Sequence, residues 1–141
     1  MPIKISSQQL VDAAMQAVTT YSATEVKARL DEGDANLQLV DIRDIRELQT
    51  PEGTAVGSLH APRGMLEFWV DPASKYHKPI WADESKEFVL FCGLGWRSAL
   101  TAKTLQDMGM TNVAHIDGGF DAMKVAGLAM ETLEMRKARR S

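Results

Sequence analysis

Thiol chemistry in this chain of 141 residues rests on one cysteine, Cys92, so no intramolecular disulfide can close. Three roles remain for Cys92: an inert packed thiol, a metal ligand without cysteine partners, or a reactive group. Histidine is also sparse, and His60, His77 and His115 are too scattered to supply the close ligand pairs of a zinc site. The expected complement is therefore no metal and no cofactor. Nothing approaches the run of roughly 20 apolar residues that a membrane span needs, and residues 1–14 lack the apolar core of a secretory signal. The expected location is cytoplasmic, away from the membrane. Positive charge is not in excess either: 16 Lys and Arg against 19 Asp and Glu give a net charge of -3. That balance excludes a broad cationic field for nucleic acid or anionic lipid, and leaves small molecules and proteins as partners. Repeats, low-complexity stretches and linkers are absent, so the chemistry has to fit one domain.

A hydrophobic share of 45% is enough for one compact soluble domain with a sizeable core. Leu10, Ala13, Ala14, Ala17 and Val18 recur at helical spacing over 6–20, with Ser7 as a cap. A second helix is expected from Ser22 or Thr24 to Leu30, stopped by Gly33. Short apolar runs at Leu37–Ile42, Glu87–Phe91 and Val113–Ile116 read as buried strands, and 57–61 as a weaker one. A helix pattern runs from Arg97 or Ser98 to Met108 with Gly109 as its stop, and another starts near Phe120. Short strands alternating with helices favour βα units around a parallel sheet, with ligands at the carboxyl ends of the strands.

Residues 62–85 carry Met65, Phe68, Trp69, Tyr76 and Trp81 among prolines and charges, and are expected to form an ordered excursion packed by its own aromatics. The tail from Met135 to Ser141 concentrates four positive charges and reads as solvated.

Cys92 stands where a buried strand ends and a helix begins at once, in Phe-Cys-Gly-Leu-Gly-Trp-Arg-Ser over 91–98. A cysteine flanked by apolar residues is, taken alone, most often a small core residue. Here Gly93 and Gly95 let backbone N–H groups turn inward, and the helix N-terminus adds free donors and a positive dipole end. Such a cradle stabilises a thiolate, and Arg97 adds a permanent charge. The same donors suit the outer sulfur of a persulfide, Cys–S–S⁻, with no cofactor required.

These residues resemble the active loop of the rhodanese family, commonly Cys-x-x-Gly-x-Arg-Ser, in Cys92, Gly95, Arg97 and Ser98. Leu39-Val40-Asp41-Ile42-Arg43, followed by Glu47, looks like the family's first signature. Gly53 to Pro62 is similar to its Gly-His-Ile-Pro-Gly-Ala segment, and Val113 to Phe120 to the strand and double glycine before the last helices. The likeness spans about residues 20–130. It implies a rhodanese-like α/β domain over 20–131, a five-stranded parallel sheet flanked by helices, with an extra N-terminal helix in 1–19 and a basic tail in 132–141. Met123 stands where the family often has tryptophan, Thr54 and Val56 replace its His and Pro, and the aromatic insert occupies 65–81.

The resemblance casts Cys92 as catalytic nucleophile and Gly93, Leu94, Gly95, Trp96, Arg97 and Ser98 as its substrate-binding loop, Trp96 shaping the entrance. Asp41 and Arg43 read as a buried ion pair supporting the strand end. Arg63 reads either as a contact for an anionic donor or as a surface arginine beside a turn. The implied activity is sulfur transfer from a donor such as thiosulfate, through a Cys92 persulfide, to cyanide or a thiol, with a protein persulfide or thiol as a further partner. A non-catalytic binding module of the same fold is the alternative. A cysteine phosphatase or arsenate reductase is a more distant one, because such loops carry five residues between cysteine and arginine, whereas Cys92 and Arg97 enclose four. A cysteine protease would need a histidine base beside Cys92, and no motif supplies one.

Overall fold

The computed structural model describes residues 2–140. Met1 and Ser141, the outer ends of the two terminal segments, lie outside the described residues. Five strands form one parallel sheet in the order β1-β6-β5-β2-β4: β1 Thr19–Tyr21, β2 Leu37–Asp41, β4 Leu59–His60, β5 Glu87–Phe91 and β6 Val113–Ile116. The order places β5 at the centre, between β2 and β6. A separate antiparallel pair joins β3 (Thr54–Ala55) to β7 (Met130–Glu131).

The strands are parallel because a helix connects them across a face, and period-two alternation then buries both faces. Along β5, Phe88 and Leu90, with Cys92 just past the strand end, join one core. Val89 and Phe91 join the other. The first core is closed by α5 (Trp96–Asp107), which contributes Ala102 and Leu105, and by α4 (Leu66–Val70), which contributes Leu66 and Val70. The second is closed by α2 (Ala23–Asp31) through Val26 and by α6 (Gly119–Ala126) through Phe120 and Met123. Met123 is fully buried there, filling with a flexible side chain the place where the resembled family often has tryptophan.

Helix α1 (Ser7–Ala17) packs on α5, and its cap is Ser6, whose hydroxyl accepts from the Gln9 N–H while Gln9 returns the bond. Its inner face is Val11 and Ala14. Of the expected stripe, Ala14 and Val18 are buried, whereas Leu10, Ala13 and Ala17 are exposed. The residues after α1 also differ from expectation, because Thr19–Tyr21 pairs with β6 as an edge strand, too short and too polar to show an apolar run. Helix α2 starts at Ser22 with a capping box to Glu25.

Inside the 62–85 excursion, Trp81 stacks on Phe88 with centroids 4.5 Å apart, so part of the aromatic insert belongs to the core. Phe68 and Tyr76 meet edge to face outside it. The basic tail is not a solvated coil. It forms α7 (Leu133–Arg140), where Arg136 is buried against Glu131 at 3.0 Å and donates to the Ala55 carbonyl at 3.0 Å. Arg139 reaches the same Glu131 carboxylate at 2.6 Å. The reason is a buried carboxylate on β7, whose charge has to be neutralised locally. Among the described residues no helix is long and apolar enough to cross a membrane.

Candidate active site

The carboxyl ends of β5 and β2 lie side by side, and each is followed directly by the first turn of a helix: α5 after β5, and α3 (Ile45–Leu48) after β2. After β5 the chain makes its turn at Gly95, whose φ of +99° is a left-handed conformation that side chains avoid. A Cβ at that position would also stand 3.0 Å from the Gly118 nitrogen. This turn sends two backbone donors at sulfur: the Gly95 N–H at 3.2 Å and the Ser98 N–H at 3.4 Å from Cys92 Sγ. Gly93 has no left-handed φ. Its lack of a side chain makes room for the Arg97 guanidinium, which would lie 3.3 Å from a Cβ there.

The loop's carbonyls are turned the other way. Phe120 N–H donates to the Cys92 carbonyl at 2.7 Å and Asp121 N–H to the Gly93 carbonyl at 3.3 Å, so the first turn of α6 takes up the acceptors. Gly119 permits that approach, because a Cβ on it would fall 2.5 Å from the Cys92 oxygen. The double glycine at 118 and 119 is therefore part of the site's scaffold.

Cys92 is 1% exposed. Its third neighbour is the Ser98 hydroxyl at 3.6 Å, which lies 3.0 Å from His115 Nδ1. On the far side of the ring, Nε2 lies 3.0 Å from Thr20 Oγ1. Burial pushes His115 down to about 4, with Asp117 opposing weakly, so the imidazole is neutral at neutral pH. His115 lies within the apolar run 113–116 that reads as a buried strand. It is fully buried there, but its ring nitrogens join the Cys92 loop to β1. The usable signal was a histidine inside an otherwise apolar strand, whose two nitrogens both require polar partners.

Arg97 is exposed and its guanidinium grips Glu47 of α3 through two bonds, 2.8 and 3.1 Å long. The ion pair raises Arg97 and holds Glu47 below the usual carboxylate range, the hydrogen bond between them being the main cause. Arg97 makes no hydrogen bond to Sγ, and Glu47 is the site neighbour that loop spacing alone did not assign. Leu94 and Trp96 are exposed on the loop's outer rim. Arg63 is directed elsewhere: it bonds Glu67 at 2.7 Å and reaches Thr104, two helical turns from Arg97, at 3.5 Å. Of the two readings of Arg63, an arginine beside a turn paired with Glu67, one turn along the chain, is the arrangement seen.

Asp41 and Arg43 sit at the adjoining strand end. Arg43 Nε and Nη2 clamp both carboxylate oxygens at 2.9–3.2 Å, Thr54 Oγ1 donates to Oδ2 at 2.7 Å, and the Arg43 N–H donates to Oδ1 at 3.0 Å. Arg43 also covers the Phe120 ring at 4.0 Å, which links this pair to α6 and so to the back of the cysteine loop.

A family model described as Rhodanese-like domain matches residues 22–126. Among solved structures, the chain is similar to a protein of unknown function from Rhodopseudomonas palustris CGA009, described as a possible tyrosine phosphatase. The two are 44% identical with a TM-score of 0.87, over 93% of this chain and 98% of that one. A thiosulfate sulfurtransferase from Pseudomonas aeruginosa is 25% identical with a TM-score of 0.71, and the match spans 87% of this chain but 22% of that much longer one. A rhodanese-related protein from Thermoplasma volcanium shares the fold, with 20% identity and a TM-score of 0.60 over 78% of this chain and 94% of that one.

Proposed function

The chain belongs to the rhodanese-like family, and from that membership we propose that it is a sulfurtransferase whose nucleophile and sulfur carrier is Cys92. The observation that carries the reading is the pair of N–H donors from Gly95 and Ser98 that converge on Cys92 Sγ at the start of α5. Donors so placed can hold a negatively charged sulfur through hydrogen bonds.

With thiosulfate as donor, the Cys92 thiolate attacks the outer sulfur, the bond between that sulfur and the sulfonate group breaks, and sulfite leaves with the electron pair. The product is the persulfide Cys–S–S⁻. A thiophilic acceptor such as cyanide then attacks the outer sulfur, takes it as thiocyanate and returns the thiolate. Arg97, once released from Glu47, attracts the dianionic donor to the rim between Leu94 and Trp96.

The test is thiocyanate formation from thiosulfate and cyanide by the purified protein. Turnover in the wild type and none in Cys92→Ser is expected. The relative described as a possible tyrosine phosphatase motivates a second reading, in which Cys92 attacks a phosphoryl group. Four residues rather than five between Cys92 and Arg97 argue against it, because the shorter loop suits a single sulfur atom better than a tetrahedral phosphoryl group. Hydrolysis of p-nitrophenyl phosphate by the wild type, with no thiocyanate formed, would reverse that preference.

A further inference from the structure

Behind Cys92 a line of hydrogen bonds leaves the loop on the side away from its rim. It runs from Sγ to Ser98 Oγ at 3.6 Å, from Ser98 Oγ to His115 Nδ1 at 3.0 Å, and from His115 Nε2 to Thr20 Oγ1 at 3.0 Å. Cys92, Ser98 and His115 are buried, whereas Thr20 on edge strand β1 is partly exposed. The fold sets this line up: Thr20 and His115 pair in register on neighbouring parallel strands, and α5 brings Ser98 over the ring.

Every group along the line both gives and accepts a proton, and a neutral imidazole does so at opposite ends of its ring. With Cys92 as a thiol, S–H donates to Ser98 Oγ, the Ser98 O–H turns from the Gly95 carbonyl, 3.3 Å away, to the nearer His115 Nδ1, and His115 Nε2–H donates to Thr20 Oγ1. With Cys92 as a thiolate, every bond in the line points the other way, and the Ser98 hydroxyl donates to sulfur alongside the Gly95 and Ser98 amides.

We propose that Ser98, His115 and Thr20 form a proton relay that carries the Cys92 thiol proton to water at the β1 edge. It rests on Cys92 being the nucleophile, as in the reading above, and is indifferent to the electrophile. In the step, the S–H bond breaks as a bond from that proton to Ser98 Oγ forms, and the former Ser98 proton passes to Nδ1. The Nε2 proton passes to Thr20 Oγ1, and the Thr20 proton leaves to a water molecule. Sulfur gains one negative charge, water becomes hydronium, and the imidazole is neutral before and after. Passage through a standing imidazolium is disfavoured by the burial that holds His115 at about 4. The relay answers a need of this site, because Cys92 is 1% exposed and has little direct access to bulk water. Ser98 touches the reacting sulfur; His115 and Thr20 act through Ser98 and are positioning residues.

The single cysteine makes the S–H stretching band a report on one group. After transfer into D2O, the S–H band of the wild type is expected to convert to S–D at least about tenfold faster than in Thr20→Val or His115→Gln. Thr20→Val exchanges only a hydroxyl for a methyl at a partly exposed edge, so it decides the matter even if the buried His115→Gln does not fold. Equal exchange in the wild type and Thr20→Val would overturn the relay. Fast exchange with no sulfur gained from thiosulfate supports the relay and counts only against the sulfurtransferase reading.

Discussion

Two neighbouring strand ends hold a group capable of negative charge, and they treat it in opposite ways. At the end of β2, Asp41 is fully buried and every oxygen is occupied, by the Arg43 fork, the Arg43 N–H and the Thr54 hydroxyl. At the end of β5, Cys92 is just as buried but receives only two amides and donates to the Ser98 hydroxyl, while Arg97 is turned to Glu47. A charge that is fully neutralised is fixed and useful only for holding parts together, whereas one that is stabilised but not neutralised is available for bonding. On the proposed reading, the contrast separates a carboxylate that holds parts together from a sulfur left open to chemistry.

Substitutions at the two ends should therefore affect different quantities. Cys92→Ser is expected to lower sulfur transfer on the order of 10,000-fold while leaving the thermal midpoint almost unchanged, read by thiocyanate assay and calorimetry. Asp41→Ala is expected to cost about 3–5 kcal/mol of stability in a denaturant titration, because it leaves the buried Arg43 charge uncompensated. If Asp41→Ala instead left stability intact and removed transfer, the division between the two ends would fail.

Acid sharpens the contrast by acting on His115. Its folded value of about 4 lies below the ordinary 6.5, so the unfolded chain binds the proton more readily. The resulting stability is present above about pH 6.5 and lost as pH falls toward about 4, by about 3 kcal/mol in all. Denaturant titrations across this window should show the slope in the wild type and a flatter response in His115→Gln. The smallest effect belongs to the rim: Glu47→Gln frees Arg97 from an exposed pair worth at most about 1 kcal/mol, so KM for thiosulfate is expected to fall up to about fivefold with kcat held. An increase in KM would mean that the pair aids donor binding rather than competing with it.

How much of this could be read from residues alone follows from how local each feature is. The apolar runs at Leu37–Ile42, Glu87–Phe91 and Val113–Ile116 announce buried parallel strands, because burial on both faces leaves no polar alternation to confuse them. The strand-to-helix turn at Cys92 was legible for the same reason, with glycine and helix pattern contiguous in sequence. Strand β1 was not, since three residues of Thr-Thr-Tyr carry no pattern and are ordered by pairing with a strand some 95 positions away. The Glu131 site that orders α7 and the Ser98–His115–Thr20 line escaped likewise, each being assembled from distant segments by the fold. Arg63 was legible only as far as a choice between two roles, because the Glu67 partner one turn away that occupies it is a local pairing and says nothing of a bound anion.

The account depends most on the sulfur of Cys92 accepting and holding a second sulfur atom. Intact-mass measurement after incubation with thiosulfate and removal of the excess tests this directly. The account predicts a gain of one sulfur atom, located on the peptide containing Cys92, lost on addition of cyanide and absent from Cys92→Ser. An unchanged mass in a folded wild type, or the same gain in the serine variant, would contradict it.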